Sequence, residues 1–325
     1  MKEVNIVSVG SYVPQRIMTN DELSNIVDTN DEWISSRTGI KERRISEGEN
    51  TSDLATKAAV KALEKAKISP EEIDLIVVAT SSPDALSPST AVFVQANIGA
   101  FNAACFDISA ACSGFIYALN IASQFIKTGQ SKKALIIGAE VLSKITDWTD
   151  RNTCVLFGDG AGAAVLVPGE EKGVTSVFAG ADGRKAEFLS IGVGSIPVKN
   201  PYVIPEKIEH IKISMDGREV FRFASNVILE AVDKVLKDTG YSLDDIKYIV
   251  PHQANYRIID FAARKLGVSE DKFYVNLQKY GNTSAASIPI ALDEMVEKGL
   301  LQKGDKIIMV AFGAGFTWAV SLVEW

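Results

Sequence analysis

The sequence carries one pattern twice, and that duplication restricts the chain to few folds. EEIDLIVVAT, from Glu71, aligns with DDIKYIVPHQ, from Asp244, placing Ile73 against Ile246 at an offset of 173. The helical stretch GFIYALNIASQFIKTG aligns with SIPIALDEMVEKG at the same offset, Leu119 against Leu292. VNIVSVG from Val4 aligns with VTSVFAG from Val174 at 170, and LFGDGAGAAVLV with AFGAGFTWAVSLV at 155, Phe157 against Phe312. The fall in offset means about 18 extra residues in the first half, roughly 141–156, between its last two strands. An offset shared by separate elements marks two copies of one unit.

Each copy alternates short apolar runs with amphipathic stretches. NIVSVG, DLIVVAT, KALIIGAE, AAVLV, YIVPH and KIIMVAFG read as buried strands. DLATKAAVKALEKAK and SNVILEAVDKVLKDTG read as helices with one apolar face. This alternation predicts an α/β protein with largely parallel sheets. The charged, Pro- and Gly-containing stretch 168–173 reads as the join, giving halves 1–170 and 171–325. Duplicated halves of this kind meet face to face, with a site near the strand ends. Equivalent loops of the two copies should therefore touch.

Composition excludes several classes. A net charge of −7 and a pI near 5.1 argue against nucleic-acid binding. No apolar run reaches the ~18 residues of a membrane span, and the N-terminal MKEVNIVSVG lacks the pattern of a signal peptide. Three scattered cysteines give no disulfide framework and point to a reducing, cytoplasmic setting. Two histidines and three cysteines offer no metal-ligand spacing, so neither a metal nor a cofactor is expected.

The chemistry-bearing residues fall on the matching loops. Cys112, in FDISAACSGFIYALN, follows a strand and precedes an apolar-faced helix. It reads equally as a packing residue or as a nucleophile whose thiol pKa the helix N-terminus lowers. A cysteine nucleophile commonly works with a histidine. His210 lies in the charged stretch KIEHIKIS and reads as a surface residue, whereas His252, in IVPHQANYR, ends a strand. Asn282, in KYGNTSAASIPIAL, taken alone reads as a turn or helix cap. The duplication instead places it opposite Cys112. FGDGAGA and FGAGF lack the Gly-Lys-Ser/Thr ending of a phosphate loop and read as strand turns. The second could supply a backbone oxyanion donor.

With AACSGF, PHQAN, GNTSAAS and the 31–40 stretch DEWISSRTGI in place, the whole chain resembles the β-ketoacyl-[acyl-carrier-protein] synthase III family. The resemblance implies a thiolase-like duplicated five-layered α-β-α-β-α fold, usually homodimeric. It implies decarboxylative condensation of an acyl-CoA primer with malonyl-[acyl-carrier protein], which initiates fatty-acid synthesis. Cys112 would carry the acyl group, and His252 and Asn282 would stabilise the enolate-like oxygen. The backbone N–H groups of Cys112 and Ala314 would form the oxyanion hole. A Cys-His-His set would instead suggest elongating enzymes, and a thiolase would show a second cysteine near the C-terminus. Cys105 and Cys154 are then packing residues.

The resemblance also implies contact residues. Trp33, Arg37 and Arg151, with Thr29 nearby, would hold the CoA adenine. Phe157, Gly217, Phe221 and Asn255 would line the pantetheine tunnel. Gln253, Ala254, Asn255, Tyr256 and Arg257, with Arg222, Arg264 and Lys265, would dock the acidic acyl carrier protein. One departure bears on the primer. The family usually has a large apolar residue just before the proline that corresponds to Pro88, reaching the partner subunit's acyl pocket; here Ser87 follows Leu86. Branched or longer primers are therefore admitted beside acetyl-CoA. Two further readings stand beside this one: a condensing relative in polyketide-starter or quinolone-type synthesis, and a non-catalytic acyl-binding protein.

Overall fold

The computed structural model describes residues 2–192 and 211–325; His210 lies outside the described residues. The strands of the first half are β1 (Glu3–Tyr12), β2 (Ile17–Thr19), β3 (Glu42–Arg44), β4 (Leu75–Ala79), β5 (Ala104–Ile108), β6 (Ala134–Glu140) and β7 (Gly160–Gly169). The second half contributes β8 (Val174–Ala181), β9 (Leu189–Ile191), β10 (Ile213–Met215), β11 (Tyr248–Pro251), β12 (Lys306–Gly313) and β13 (Thr317–Glu324).

Two sheets dominate, ordered β1-β7-β6-β4-β5 and β11-β12-β13-β8. Their parallel segments are β6-β4-β5 and β11-β12, where helices cross over; the flanks are antiparallel because β12 turns directly into β13 and β7 lies between β6 and β1. The duplication extends to register. Leu75 faces Ala134 in one sheet and Tyr248 faces Ile307 in the other, each residue moved by 173. A fifth strand is reduced in the second sheet to the single bridge Ile249–Phe273. The expected insertion 141–156 falls within the segment that joins β6 to β7, where the offsets require it. The join shortens to 170–173, because β7 continues to Gly169 with Pro168 opposite Val4. By then β6 has ended, so the N–H that proline lacks has no ladder partner to lose.

Helix layers follow from sequence pattern. Helix Thr51–Ala66 starts at a capping box of Asn50 and Asp53 and turns Leu54, Ala55, Ala58, Ala59, Ala62 and Leu63 onto the first sheet. It lies so close that a Cβ on Gly10 would meet the Ala62 nitrogen at 2.4 Å. Helices Gly114–Lys127 and Ser287–Glu297 are apolar around most of their circumference, as burial between two sheets requires. Helix Gly217–Thr239, capped by Asp216 and ended by Gly240 at φ +75°, covers the second sheet with helix Tyr256–Leu266. The result is helix, sheet, helix, sheet, helix.

Candidate active site

Cys112 sits in a single 3₁₀ turn, Ala111–Ser113, that feeds helix Gly114–Lys127. Ala111 holds φ at +46°, and 173 residues on Ser284 holds +48° at the start of the matching turn Ser284–Ala286. The two strained elbows face each other across the junction of the halves. Such φ values cost a non-glycine residue about 1–3 kcal/mol each, and here packing imposes them. A Cβ on Gly313 would meet the Cys112 nitrogen at 2.6 Å, and one on Gly138 would meet the Ala285 oxygen at 2.1 Å. Each strand end thus presses directly on the other half's elbow. Thr317 Oγ1 donates to Ala110 O at 3.0 Å and ties the β12–β13 turn to the Cys112 loop.

His252 follows β11 and is 2% exposed. Its Nδ1 lies 2.8 Å from Ser287 Oγ, which also accepts the Gln253 N–H at 3.3 Å. That bond occupies Nδ1 and leaves Nε2 as the ring nitrogen without a hydrogen-bond partner among the described residues. Phe312 meets the imidazole edge-on with centroids 5.4 Å apart. Burial holds the imidazole pKa down at about 3, so the ring stays neutral.

Asn282 is fixed by the segment that joins β6 to β7. Its backbone bridges Phe157, with Asn282 N–H donating to Leu156 O at 2.8 Å and Gly158 N–H to Asn282 O at 3.0 Å. The side-chain Oδ1 accepts the Ser284 N–H at 2.9 Å, which leaves the Nδ2 amide free to donate. Cys112, His252, Asn282, Ser284 and Ala314 line one cavity of about 130 Å³, with Ser81, Phe157, Gly217, Phe221 and Asn255 also in its wall.

The thiol departs from expectation. Burial pushes the Cys112 pKa up to about 12, and the nearby Glu140 charge adds to the rise. Cys105 and Cys154 are free as well, both pushed up to about 11 by burial. Glu140, Ser81, Ser284 and Ser287 were not singled out from the sequence. GNTSAAS contains both serines, and the equivalence of Ser284 with Ala111 was the available signal.

A broader cleft of about 930 Å³ opens beside the cavity, lined by Trp33, Arg37, Asn152, Arg218 and Arg257. Met215, Gly217, Phe221 and Asn255 line both spaces, which makes them one path. Arg37 and Arg151 each place their guanidinium 4.8 Å from the Trp33 ring centroid. Thr29 Oγ1 is buried without a partner, next in sequence to Asp28, whose carbonyl accepts from Arg151. Asn255 caps helix Tyr256–Leu266 by accepting the Arg257 N–H at 2.9 Å.

The expected docking segment divides. Tyr256, Arg257, Arg264 and Lys265 are exposed, and Ala254 and Asn255 partly so. Arg222 lies on the neighbouring helix, joined through the Phe221–Phe261 edge contact at 6.2 Å. Gln253 does not belong to that surface. It is 1% exposed, its Nε2 donates to Pro251 O and Tyr274 O, and its Oε1 accepts the Asn276 N–H. Arg222 and Arg264 are already paired with Glu219 and Asp260. Among the described residues no group of three or more His, Cys, Asp or Glu could hold a metal ion, and no helix is long and apolar enough to cross a membrane.

A duplicated five-layered fold with thiol, imidazole and carboxamide converging where its halves meet defines the thiolase-like condensing enzymes. Two family models match, 3-oxoacyl-[acyl-carrier-protein] synthase III over residues 106–183 and its C-terminal part over residues 236–325. The chain is 59% identical over 325 residues to the β-ketoacyl-[acyl-carrier-protein] synthase III of Clostridium acetobutylicum, covering 100% of this chain and 99% of the relative. It is 60% identical over 326 residues to that of Clostridium novyi, with 100% of both covered. The crystal structure of 3-oxoacyl-[acyl-carrier-protein] synthase III from Aquifex aeolicus superimposes with a TM-score of 0.91 at 47% identity, covering 99% of this chain and 100% of that one. The chain belongs to the β-ketoacyl-[acyl-carrier-protein] synthase III family, and is an acyltransferase of the initiating condensation in fatty-acid synthesis.

Proposed function

We propose that Cys112 takes the acyl group of an acyl-CoA primer and passes it to the carbanion of malonyl-[acyl-carrier protein], with His252 and Asn282 holding the enolate oxygen. The carrying observation is that Ser287 engages His252 Nδ1 and the Ser284 N–H engages Asn282 Oδ1. With the ring proton assigned to Nε2, two donors serve the Cys112 cavity that both residues line. In the first half-reaction the thiol attacks the thioester carbonyl, the backbone N–H groups of Cys112 and Ala314 receive the oxyanion, and CoA leaves. In the second, malonyl thioester oxygen accepts from Nε2–H and Nδ2–H while the C–CO2 bond breaks. The resulting carbanion attacks acyl-Cys112, releasing 3-oxoacyl-[acyl-carrier protein]. A neutral imidazole suits this role, because it donates without titrating.

Trp33, Arg37 and Arg151 are assigned to the adenine end of CoA, with Thr29 beside them, and Phe157, Gly217, Phe221 and Asn255 to the pantetheine. Ala254, Asn255, Tyr256, Arg257, Arg222, Arg264 and Lys265 are assigned to the acyl carrier protein. The halves 1–170 and 171–325 act as one catalytic body in the cytoplasm. The enzyme is taken as a homodimer joined along β5. That strand is the outer edge of its sheet, and Phe101 beside it is 73% exposed. Leu86, 87% exposed, then reaches the partner subunit's acyl pocket in place of the usual residue before Pro88.

Intact-mass measurement after incubation with a panel of acyl-CoAs tests the reading. One acyl adduct should form on the wild-type enzyme and none on Cys112→Ser. Transfer persisting in Cys112→Ser overturns it. The same panel ranks acetyl against branched and longer primers.

A further inference from the structure

The strand that delivers His252 is held unequally on its two sides. On the inner side β11 pairs with β12 from Tyr248–Ile307 to Pro251–Val310, and the ladder continues through the His252 N–H, which donates to Val310 O at 2.8 Å. On the outer side the bridge Ile249–Phe273 is the backbone pairing among the described residues, with the Tyr274 N–H donating to Ile249 O at 2.9 Å. The first sheet differs. There β4 and β5 stay in register from Leu75–Ala104 to Ala79–Ile108, and the Thr80 N–H adds a bond to Ile108 O at 3.3 Å. Ala79 is the residue that corresponds to His252 at the offset of 173. The outer ladder therefore reaches the strand end in the first half and stops at Ile249 in the second. Pro251 is the next residue facing that side, and it has no N–H with which to continue.

Gln253 spans the gap with its side chain. Its Nε2 donates to Pro251 O at 2.8 Å and to Tyr274 O at 3.0 Å, and its Oε1 accepts the Asn276 N–H at 3.0 Å. One of these partners belongs to β11 and two to the segment beside it, so the amide makes the cross-strand bonds that the backbone lacks. Gln253 and Asn276 are 1% and 2% exposed, so water does not compete for these bonds. Two further contacts tie in the helix Ser287–Glu297. The Gln253 N–H donates to Ser287 Oγ at 3.3 Å, the hydroxyl that engages His252 Nδ1, and Asn276 Nδ2 donates to Glu294 Oε2 at 2.8 Å. His252, Ala254 and Asn255 line the Cys112 cavity, and Gln253 lies behind them.

We propose that Gln253 is a positioning residue for His252, its amide replacing the missing end of the outer β11 ladder and so fixing the imidazole in the Cys112 cavity. This rests on His252 serving the malonyl half-reaction. Gln253 touches no reacting atom and acts only through the strand end that it holds. A shift of about 1 Å in a group that must meet the enolate oxygen costs about 100-fold in rate. Cys112 stands on the elbow of the other half, so its acylation does not draw on this brace.

The test compares three quantities on the full chain. They are the rate of Cys112 acylation by acetyl-CoA, read by intact mass, and the kcat and KM for CO2 release from malonyl-[acyl-carrier protein]. Gln253→Met keeps the bulk of the side chain and removes all three amide bonds. Its kcat for CO2 release should fall ~10–100-fold, with KM and acylation unchanged. Gln253→Glu keeps the acceptor for the Asn276 N–H and, protonated in its buried setting, one of the two donors. Its kcat should lie between those of Gln253→Met and wild type, and it is the variant read if Gln253→Met does not fold. A raised KM at unchanged kcat would return Gln253 to the carrier-protein surface and overturn the proposal. An equal fall in acylation and CO2 release marks a general structural role and also overturns it, as does a wild-type kcat in folded Gln253→Met. His252→Ala separates this result from the reading beneath it. Undiminished CO2 release in His252→Ala removes the role of His252 itself, whereas its loss there beside a wild-type rate in Gln253→Met removes the brace alone.

Discussion

His252 Nδ1 lies 2.8 Å from Ser287 Oγ, and the same two positions in the first half hold Ala79 and Gly114. A Cβ added to Gly114 would meet the Ala79 Cβ at 2.7 Å, so the first copy closes by packing what the second closes by a hydrogen bond. The duplication has one inert and one chemically equipped version of the same contact. Cys112 shows the reverse asymmetry, with Ala285 at its equivalent position.

Ser287→Ala removes the hydroxyl that engages His252 Nδ1. Decarboxylation of malonyl-[acyl-carrier protein] should slow by about tenfold, in keeping with loss of one hydrogen bond of ~1–1.5 kcal/mol. Acylation measured by intact mass should proceed at the wild-type rate. An equal fall in both half-reactions would contradict a role confined to His252.

The buried imidazole also shapes stability against acid. Its folded pKa of about 3 lies below the ordinary 6.5, so its stabilising contribution is complete above about 6.5 and is lost as pH falls towards 3. The unfolded chain binds a proton in that window and the folded chain does not. His252→Asn should lose less stability than wild type between pH 7 and pH 4 in denaturant titrations. An unchanged loss would show that the acid sensitivity comes from other groups.

Asn282→Asp keeps an oxygen to accept the Ser284 N–H but replaces the Nδ2 donor with a second acceptor. Condensation should fall by ~100–1000-fold, the usual effect of losing one such donor. Asn282→Ala should fall less, because it adds no charge against the enolate. The order of the two variants in CO2 release is the measurement, and Asp outperforming Ala would reject the donor role.

Arg257 is exposed on the cleft and on the docking helix, with no carboxylate partner among the described residues. Arg257→Glu should raise the KM for malonyl-[acyl-carrier protein] several-fold with little change for acyl-CoA. The difference should shrink at high salt, as surface charges are screened. Equal effects on both substrates would place Arg257 on the CoA path alone.

Much of this protein was determined by the sequence alone. Offsets of 173 and 155 located two copies, their strand registers and the insertion, because a repeated apolar period forces repeated elements. The motifs around Cys112, His252 and Asn282 identified the loops that meet. Only the tertiary structure decided what surrounds those groups. Burial holds the Cys112 thiol well above its ordinary range, and burial depends on segments far apart in the chain. Gln253 follows His252 in the motif but turns inward, because three backbone groups of its own half require its amide. Gly313 and Cys112 are 201 residues apart and press together only when the halves close face to face. Local pattern specifies which elements form, whereas desolvation and hydrogen-bond partners belong to the assembled junction.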